Sequence, residues 1–249
     1  MIKKFFKYIL NLISTCIFWI IPPELRILPQ KELSIETILN ENNTRENYEH
    51  FKEIFKTTVL FKDVGRTRRF GLGRIRKYAI ENAISNDKQQ EDFYLEFGVW
   101  KGWSTNFFSK YVKKLYAFDS FEGLREDWGG SKFGKGHFNL NKQIPKLNSN
   151  IEPIVGFVQD TLDDFLKKHN PKINFVHLDM DTYPSTKYAL ERLKPFFNKD
   201  AIIIFDELYN YHGWKNGGEY KALKEVFKDD EYIFKAFNVL GEQVVIQIK

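Results

Sequence analysis

The chain has 249 residues, 43% of them hydrophobic and 29% charged, with only 15 glycines and 8 prolines. That is enough apolar material for a large globular core, and it excludes a disordered or fibrous chain. A single cysteine, Cys16, excludes an internal disulfide framework and a thiolate zinc cluster, and a net charge of +5 does not require nucleic acid as a partner.

Residues 1–23 differ from the rest. Lys3, Lys4 and Lys7 precede an uncharged stretch from Tyr8 to Pro23, whose sixteen residues reach about 24 Å as a helix at ~1.5 Å per residue. That is short of the ~30 Å hydrocarbon core of a bilayer. Lys4, Lys7, Asn11 and Ser14 share one helix face, while Phe5, Phe6, Ile9, Leu12, Ile13 and Ile17 fill the other. The pattern predicts an amphipathic helix lying on an anionic membrane surface, or docked on the core or on a second subunit of a homo-oligomer. No alanine precedes Ala79 and no small-x-small site follows the run, which argues against a signal peptide.

Residues 24–90 are polar and are expected to form a helical lid region, with Tyr48, Phe51, Phe55 and Val59 at helical spacing. Arg66, Arg68, Arg69, Arg74, Arg76 and Lys77 gather around Gly65, Gly71 and Gly73. They form either a solvated face or a basic lid over an anionic ligand.

From residue 91 to 249 strands and helices alternate. Apolar runs fall at 93–97, 115–118, 153–155, 173–178 and 201–205, with helical patterns at 103–113, 161–168 and 185–197. The alternation predicts an α/β domain with a parallel sheet and helices on both faces. Tyr232–Val239 and Gln243–Ile248, joined by Leu240-Gly241-Glu242, predict a C-terminal antiparallel hairpin.

In such sheets ligands bind beyond the carboxyl ends of the strands. The first strand runs into Glu96-Phe97-Gly98-Val99-Trp100-Lys101-Gly102-Trp103-Ser104. Gly98 permits a sharp turn, and Gly102 and Ser104 open the next helix. Trp100 stands where a dinucleotide fingerprint needs open space, which leaves room for a ligand whose amino-acid end meets the loop and whose adenosine lies alongside. Asp119, followed by Ser120, ends the second strand twenty-one residues past Gly98. An acid there suits two ribose hydroxyls, or caps a helix or turn. Gly156-Phe157-Val158 ends the third strand, at the expected place for an adenine edge. Asp179 and Asp181 end the fourth strand and Asp206 and Glu207 the fifth. Carboxylates on adjacent tips with no Lys or Arg between them favour Mg²⁺ or a similar divalent cation, against the alternative that one or two cap helices.

The stretch Leu95–Ser104 resembles motif I of class I S-adenosylmethionine-dependent methyltransferases, particularly of the catechol O-methyltransferase kind. Phe118–Leu124, His177–Thr186, Phe205-Asp206-Glu207, Gly213-Trp214 and Gly218–Ala222 resemble the macrocin O-methyltransferase family of sugar-modifying enzymes, in the same order along residues 60–249. The resemblance implies a Rossmann-like class I methyltransferase fold. It implies that Glu96, Gly98, Ser104 and Asp119 hold S-adenosylmethionine, with Trp100, Gly102, Ser120, Gly156 and Val158 beside them in the cofactor site. It further implies that Asp179, Asp206 and Glu207 bind a divalent metal gripping vicinal hydroxyls of a small-molecule or glycan acceptor. Relatives often carry Asp or Asn where this chain has Glu207.

Methylating a sugar hydroxyl requires a base. His137, in the glycine-rich Gly134–Phe138 segment, is the expected one, assisted by the metal at Asp179. His212 is the second candidate, and His177, inside a strand, is expected in the core. Trp214 and Tyr211 either stack on a sugar or hold their own loop. Two readings compete. Tyr183-Pro184-Ser185-Thr186-Lys187 matches the Tyr-x-x-x-Lys signature of nicotinamide-dependent short-chain oxidoreductases, although Pro184 marks a helix start rather than a helix interior. A non-catalytic membrane-associated protein keeping the fold is the other. An intracellular methyl donor predicts a cytoplasmic protein, with any membrane contact of residues 1–23 on the inner membrane face.

Overall fold

A computed structural model describes residues 42–63, 73–87, 92–129 and 133–249. The expected amphipathic segment 1–23 and most of the basic glycine-flanked segment lie outside these residues. Among the described residues no helix is long and apolar enough to cross a membrane.

The described chain runs α1 (Asn42–Phe55), β1 (Val59–Phe61), α2 (Arg74–Asn86), β2 (Phe93–Phe97), α3 (Trp103–Phe108), β3 (Leu115–Asp119) and β4 (Ile151–Val155). It continues through α4 (Val158–His169), β5 (Ile173–Leu178), α5 (Tyr183–Leu193), β6 (Phe197–Phe205), α6 (Gly218–Val226), β7 (Tyr232–Asn238) and β8 (Val244–Ile248). The strands form one eight-stranded sheet in the order β1-β7-β8-β6-β5-β2-β3-β4. All neighbours are parallel except β8, which is antiparallel to both β6 and β7. This is the Rossmann-like arrangement with a C-terminal antiparallel hairpin that the sequence predicts.

Period-two alternation divides the sheet between two cores. Leu95, Phe97, Val176, Leu178, Ile203 and Phe205 face α1, α4, α5 and α6. Tyr94, Phe175, Ile202, Ile204, Ala236 and Val245 face α2 and α3. Because both faces are covered, β5 is buried at every position, which is why it reads as an apolar run rather than an alternating one. Pro153 is tolerated because β4 is an edge strand.

Several boundaries move, each for a local reason. Val59–Phe61, read as a continuation of helical spacing, is a strand paired in parallel with β7. Here the β-branched run Thr57-Thr58-Val59 and an available sheet edge outweigh the three-and-four spacing. α3 stops at Phe108 rather than 113, where Asn150 Nδ2 donates to the carbonyls of Ser109 (2.7 Å) and Val112 (2.9 Å). α5 ends at Leu193, and a 3₁₀ turn containing Pro195 leads into β6 at Phe197, earlier than expected. α4 begins at Val158 and α6 was not foreseen as a helix.

α1 is anchored by Phe51, 1% exposed, whose ring stacks on Trp214 (5.6 Å between centroids) and meets Phe237 at 5.0 Å. Trp214 therefore belongs to this core. Phe51→Ala should lower stability by ~3–5 kcal/mol, read from the midpoint of urea unfolding with an unchanged slope.

Candidate active site

A cavity of about 860 Å³ opens at the carboxyl ends of β2 to β6. Its shape begins at Gly98, with φ of 89° and a backbone so close to β5 that a Cβ would sit 1.8 Å from the Asp179 carbonyl oxygen. Only glycine lets the two central strand tips approach this closely. The following loop folds back over β3, and Asp119 holds it there. Asp119 Oδ2 accepts the N–H groups of Val99 (2.8 Å) and Trp100 (2.7 Å), and Oδ1 accepts that of Phe121 (2.7 Å). Trp100 adopts φ of 44° within this loop, a left-handed conformation that Asp119 helps to stabilise. Asp119 is thus a structural organiser as well as a cavity-lining acid, with lone pairs left for hydroxyl donors.

Of the expected cofactor residues, Gly98, Trp100, Ser104, Asp119, Ser120, Gly156 and Val158 line the cavity together. Gly102 does not. It starts α3 in a left-handed conformation, where a Cβ would meet Leu147 at 2.7 Å. Glu96 is also not at the surface of the cavity. It is fully buried beneath it, with Oε1 2.8 Å from Nδ1 of His177. A carboxylate pointing across the sheet to a neighbouring strand orients His177 rather than meeting a ligand directly.

The acids at β5 and β6 separate into two groups. Carboxylate oxygens of Asp179, Asp181 and Glu207 lie within 4.8 Å of one another, while Asp206 falls in a second group of the same spacing with His177 and Asp179. Asp181 enters the cavity through a tight turn closed by Thr182 N–H to the Met180 carbonyl (2.6 Å), with φ of 62° at Asp181. The Glu207 backbone N–H donates to Glu219 Oε2 (3.0 Å). Burial first, and then the nearby Asp179 and Asp181, hold the Glu219 carboxyl well above the usual carboxylate range. Tyr211 lines the same corner, and burial together with Glu219 and Glu207 pushes its phenol up.

Asp206 lines the same cavity and is met there by a side chain that sequence spacing did not place here. Arg76, from the first turn of α2, is ion-paired with Asp206 Oδ1. The expectation of acids with no cation between them is corrected at this position: the cation comes from the amino-terminal segment, 130 residues away. Three all-oxygen donors on Asp179, Asp181 and Glu207 still suit a hard divalent ion.

The expected base is not brought to this corner. His137 is exposed and stacks on Phe133 (4.1 Å between centroids). Its turn is fixed by its own N–H bonded to the Gly134 carbonyl (3.0 Å) and by Leu124 N–H bonded to its carbonyl (2.9 Å). Phe138 lines the cavity in its place. His212 is exposed as well. Tyr183 and Lys187 face α6, where both bond Glu225 (2.6 and 2.7 Å), and neither lines the cavity. The residues sequence reasoning missed are mostly aromatic or basic. Trp128, Phe133 and Arg125 come from the long β3–β4 connection, Arg76 from α2, and Glu242 from the β7–β8 turn.

Residues 95–208 match the sequence model of the family described as a methyltransferase domain. With the strand order and the cavity, this identifies residues 95–208 as a methyltransferase domain within a Rossmann-like sheet. Among solved structures it is similar to the calicheamicin methyltransferase CalS11, with 18% identity over 82% of this chain and 91% of that one and a TM-score of 0.56. A second CalS11 structure, described as an apo TDP-rhamnose 3′-O-methyltransferase, matches with 16% identity over 90% and 96% and a TM-score of 0.54. The O-methyltransferase NovP matches with 17% identity over 71% and 78% and a TM-score of 0.50. At such identities the likeness carries the fold. No curated protein matches the sequence.

Replacing Asp119 tests the cofactor half of the cavity. Asp119→Ala removes the support of the Val99–Trp100 loop together with the acceptor expected for the ribose hydroxyls, so affinity for S-adenosylmethionine should fall by at least ~1.5–3 kcal/mol. Unchanged affinity by calorimetry, in a folded variant, removes Asp119 from the site.

Proposed function

We propose that this protein transfers the methyl group of S-adenosylmethionine to a hydroxyl of a sugar or glycoside. The observation that carries the reading is one cavity with two chemical ends. Asp119, Ser104 and the Gly156–Val158 tip stand at one end, and the carboxylates of Asp179, Asp181 and Glu207 at the other. A sulfonium cofactor along the first end would present its methyl group toward the second. A relative in fold is described as a TDP-rhamnose 3′-O-methyltransferase, which favours a sugar as acceptor.

A sugar hydroxyl is too weak an acid to ionise at neutral pH, so its proton must leave as the methyl arrives. A divalent ion held by Asp179, Asp181 and Glu207 would supply positive charge that lowers the pKa of a hydroxyl oxygen. The proton passes to a carboxylate of this corner, because the exposed ring of His137 does not reach it. Alignment of the acceptor oxygen with the methyl and the sulfur contributes much of the remaining acceleration, and the Asp119-held loop fixes the donor for it. The amphipathic pattern of residues 1–23 supports contact with the cytoplasmic face of an anionic membrane or docking on protein.

Two experiments follow. S-adenosylhomocysteine at ~100 times its Kd should stabilise the fold by about 2.7 kcal/mol in a thermal-shift assay, with no response to NAD or NADP. With that binding intact, Asp179→Asn and Glu207→Gln should lower methyl transfer by ~10²-fold or more, and chelator should do the same reversibly. Full transfer in excess chelator rejects the ion.

Flotation with anionic liposomes tests the amino-terminal segment. The whole chain should float, and either added salt or Lys4→Glu plus Lys7→Glu should release it. No lipid association at low salt leaves docking on protein.

A further inference from the structure

The connection from β3 to β4, residues 120–150, contains no helix or strand among its described residues. It is well beyond the roughly 12–15 residues at which such loops become uncommon. Its arms, 120–129 and 133–142, are closed on each other. Leu124 N–H donates to the His137 carbonyl (2.9 Å), Gly136 N–H to the Leu124 carbonyl (2.8 Å), Trp128 N–H to the Phe133 carbonyl (3.1 Å) and Leu140 N–H to the Phe121 carbonyl (3.1 Å). Rings join the arms as well, since Phe133 stacks on Trp128 (5.9 Å) and on His137 (4.1 Å). A loop closed by its own bonds and rings behaves as one unit. This flap lines the cavity with Leu124, Arg125, Trp128, Phe133 and Phe138.

The flap is attached at two places. Its base rests on the Asp119 corner, where Phe121 N–H meets Oδ1 (2.7 Å), and on Trp100, whose ring Phe138 meets at 5.3 Å. Its outer end is fastened by Arg125 and Glu126. Arg125 Nη1 donates to Gln159 Oε1 and Asp160 (both 3.3 Å), an exposed pairing that contributes little. Glu126 Oε1 is better placed: it accepts the hydroxyls of Thr182 and Ser185 (3.1 Å for Ser185), and Ser185 Oγ accepts Gln159 Nε2 (3.2 Å). Thr182 is the N-cap of α5, yet its hydroxyl caps no N–H of that helix. It donates to Glu126 instead, which brings a carboxylate to the positive end of α5. The Thr182 N–H closes the Asp181 turn. The outer fastening therefore stands beside the acid end of the cavity, and the base beside the Asp119 end.

We propose that Glu126 is a positioning residue that latches this flap across the cavity and sets how long an S-adenosyl cofactor stays bound. This rests on the methyl-donor reading above. While Glu126 is bonded to Thr182 and Ser185, the aromatic wall of Trp128, Phe133 and Phe138 stays over the strand tips. When both bonds break, the flap pivots on its Phe121 and Phe138 attachments and the cavity opens.

Two measurements on the full chain test the latch without an acceptor. Amide hydrogen exchange of the ligand-free protein, read by mass spectrometry, should be faster by ~10-fold or more in the flap of Glu126→Ala and unchanged in the sheet. Dissociation of S-adenosylhomocysteine, followed by surface plasmon resonance, should accelerate by a similar factor. Glu126→Gln should restore both, because its amide oxygen accepts the same hydroxyls. Thr182→Val plus Ser185→Ala should match Glu126→Ala, and combining all three should add nothing further. If Glu126→Ala does not fold, as read by circular dichroism, the Thr182→Val plus Ser185→Ala chain cuts the same bonds from the other side. Unchanged exchange in the flap overturns the proposal, as does faster exchange spread over the sheet. Faster flap exchange with an unaltered dissociation rate overturns it too. Effects that add in the triple variant place Thr182 and Ser185 on the ligand itself and also overturn the latch. A wild-type chain that does not bind S-adenosylhomocysteine overturns the methyl-donor reading by itself. Exchange then decides the latch: an increase confined to the flap upholds it, and no increase overturns it.

Discussion

The site depends on how a sheet with two buried faces ends. Each central strand can be apolar on both sides until its carboxyl tip, where the backbone leaves the sheet and the cavity begins. Along the α2-facing side the last inward positions are polar and pair across strands in two sets, Asp63, Asn238, Gln243 and Asp206 in one and Glu96 with His177 in the other. Buried polar groups are tolerated only when partnered in this way. Asp206 takes part in this pairing while lining the cavity beside Asp179, Asp181 and Glu207.

Close approach of backbones organises the opposite end. Gly98 brings β2 against the Asp179 carbonyl, and Asp119 gathers the N–H groups of Val99, Trp100 and Phe121. One carboxylate with three backbone donors makes a rigid corner from a loop that contains a left-handed tryptophan. The same corner ties the methyl-donor end of the cavity to the acid end, since Asp179 lies beside Gly98. In the proposed reaction the cofactor and the acceptor would meet across this one stretch of backbone, as in-line transfer demands.

The β3–β4 connection supplies the aromatic wall. Trp128, Phe133 and Phe138 line the cavity, while Arg125 reaches Asp160 at the start of α4 (3.3 Å) and Glu126 bonds Thr182 and Ser185 at the start of α5. These polar contacts fasten the connection to two helix starts. Its glycine-rich turn is fixed by bonds to Leu124, so His137 faces outward however suitable its sequence context is.

By itself the sequence determined the α/β class, the strand cores, the C-terminal hairpin and most of the residues that meet at the strand tips. These follow from period-two and apolar-run signals and from the rule that ligands bind at carboxyl ends, all of which are local. It did not determine the partners of those residues. Glu96 is a cofactor contact only by the family resemblance, while its register places it beside His177 on the same sheet face. Asp206 and Glu207 are adjacent in the chain and both line the cavity, but Asp206 pairs with Arg76 while the Glu207 N–H meets Glu219. Arg76 sits in a basic run that reads as a solvated face, and only the docking of α2 by Asp63 carries it 130 positions along the chain to Asp206. Val59–Phe61 has helical spacing but forms a strand because β7 offers it an edge. Spacing fixes which face a residue occupies within its own element; which charge or hydrogen-bond donor meets that face is decided by elements distant in sequence.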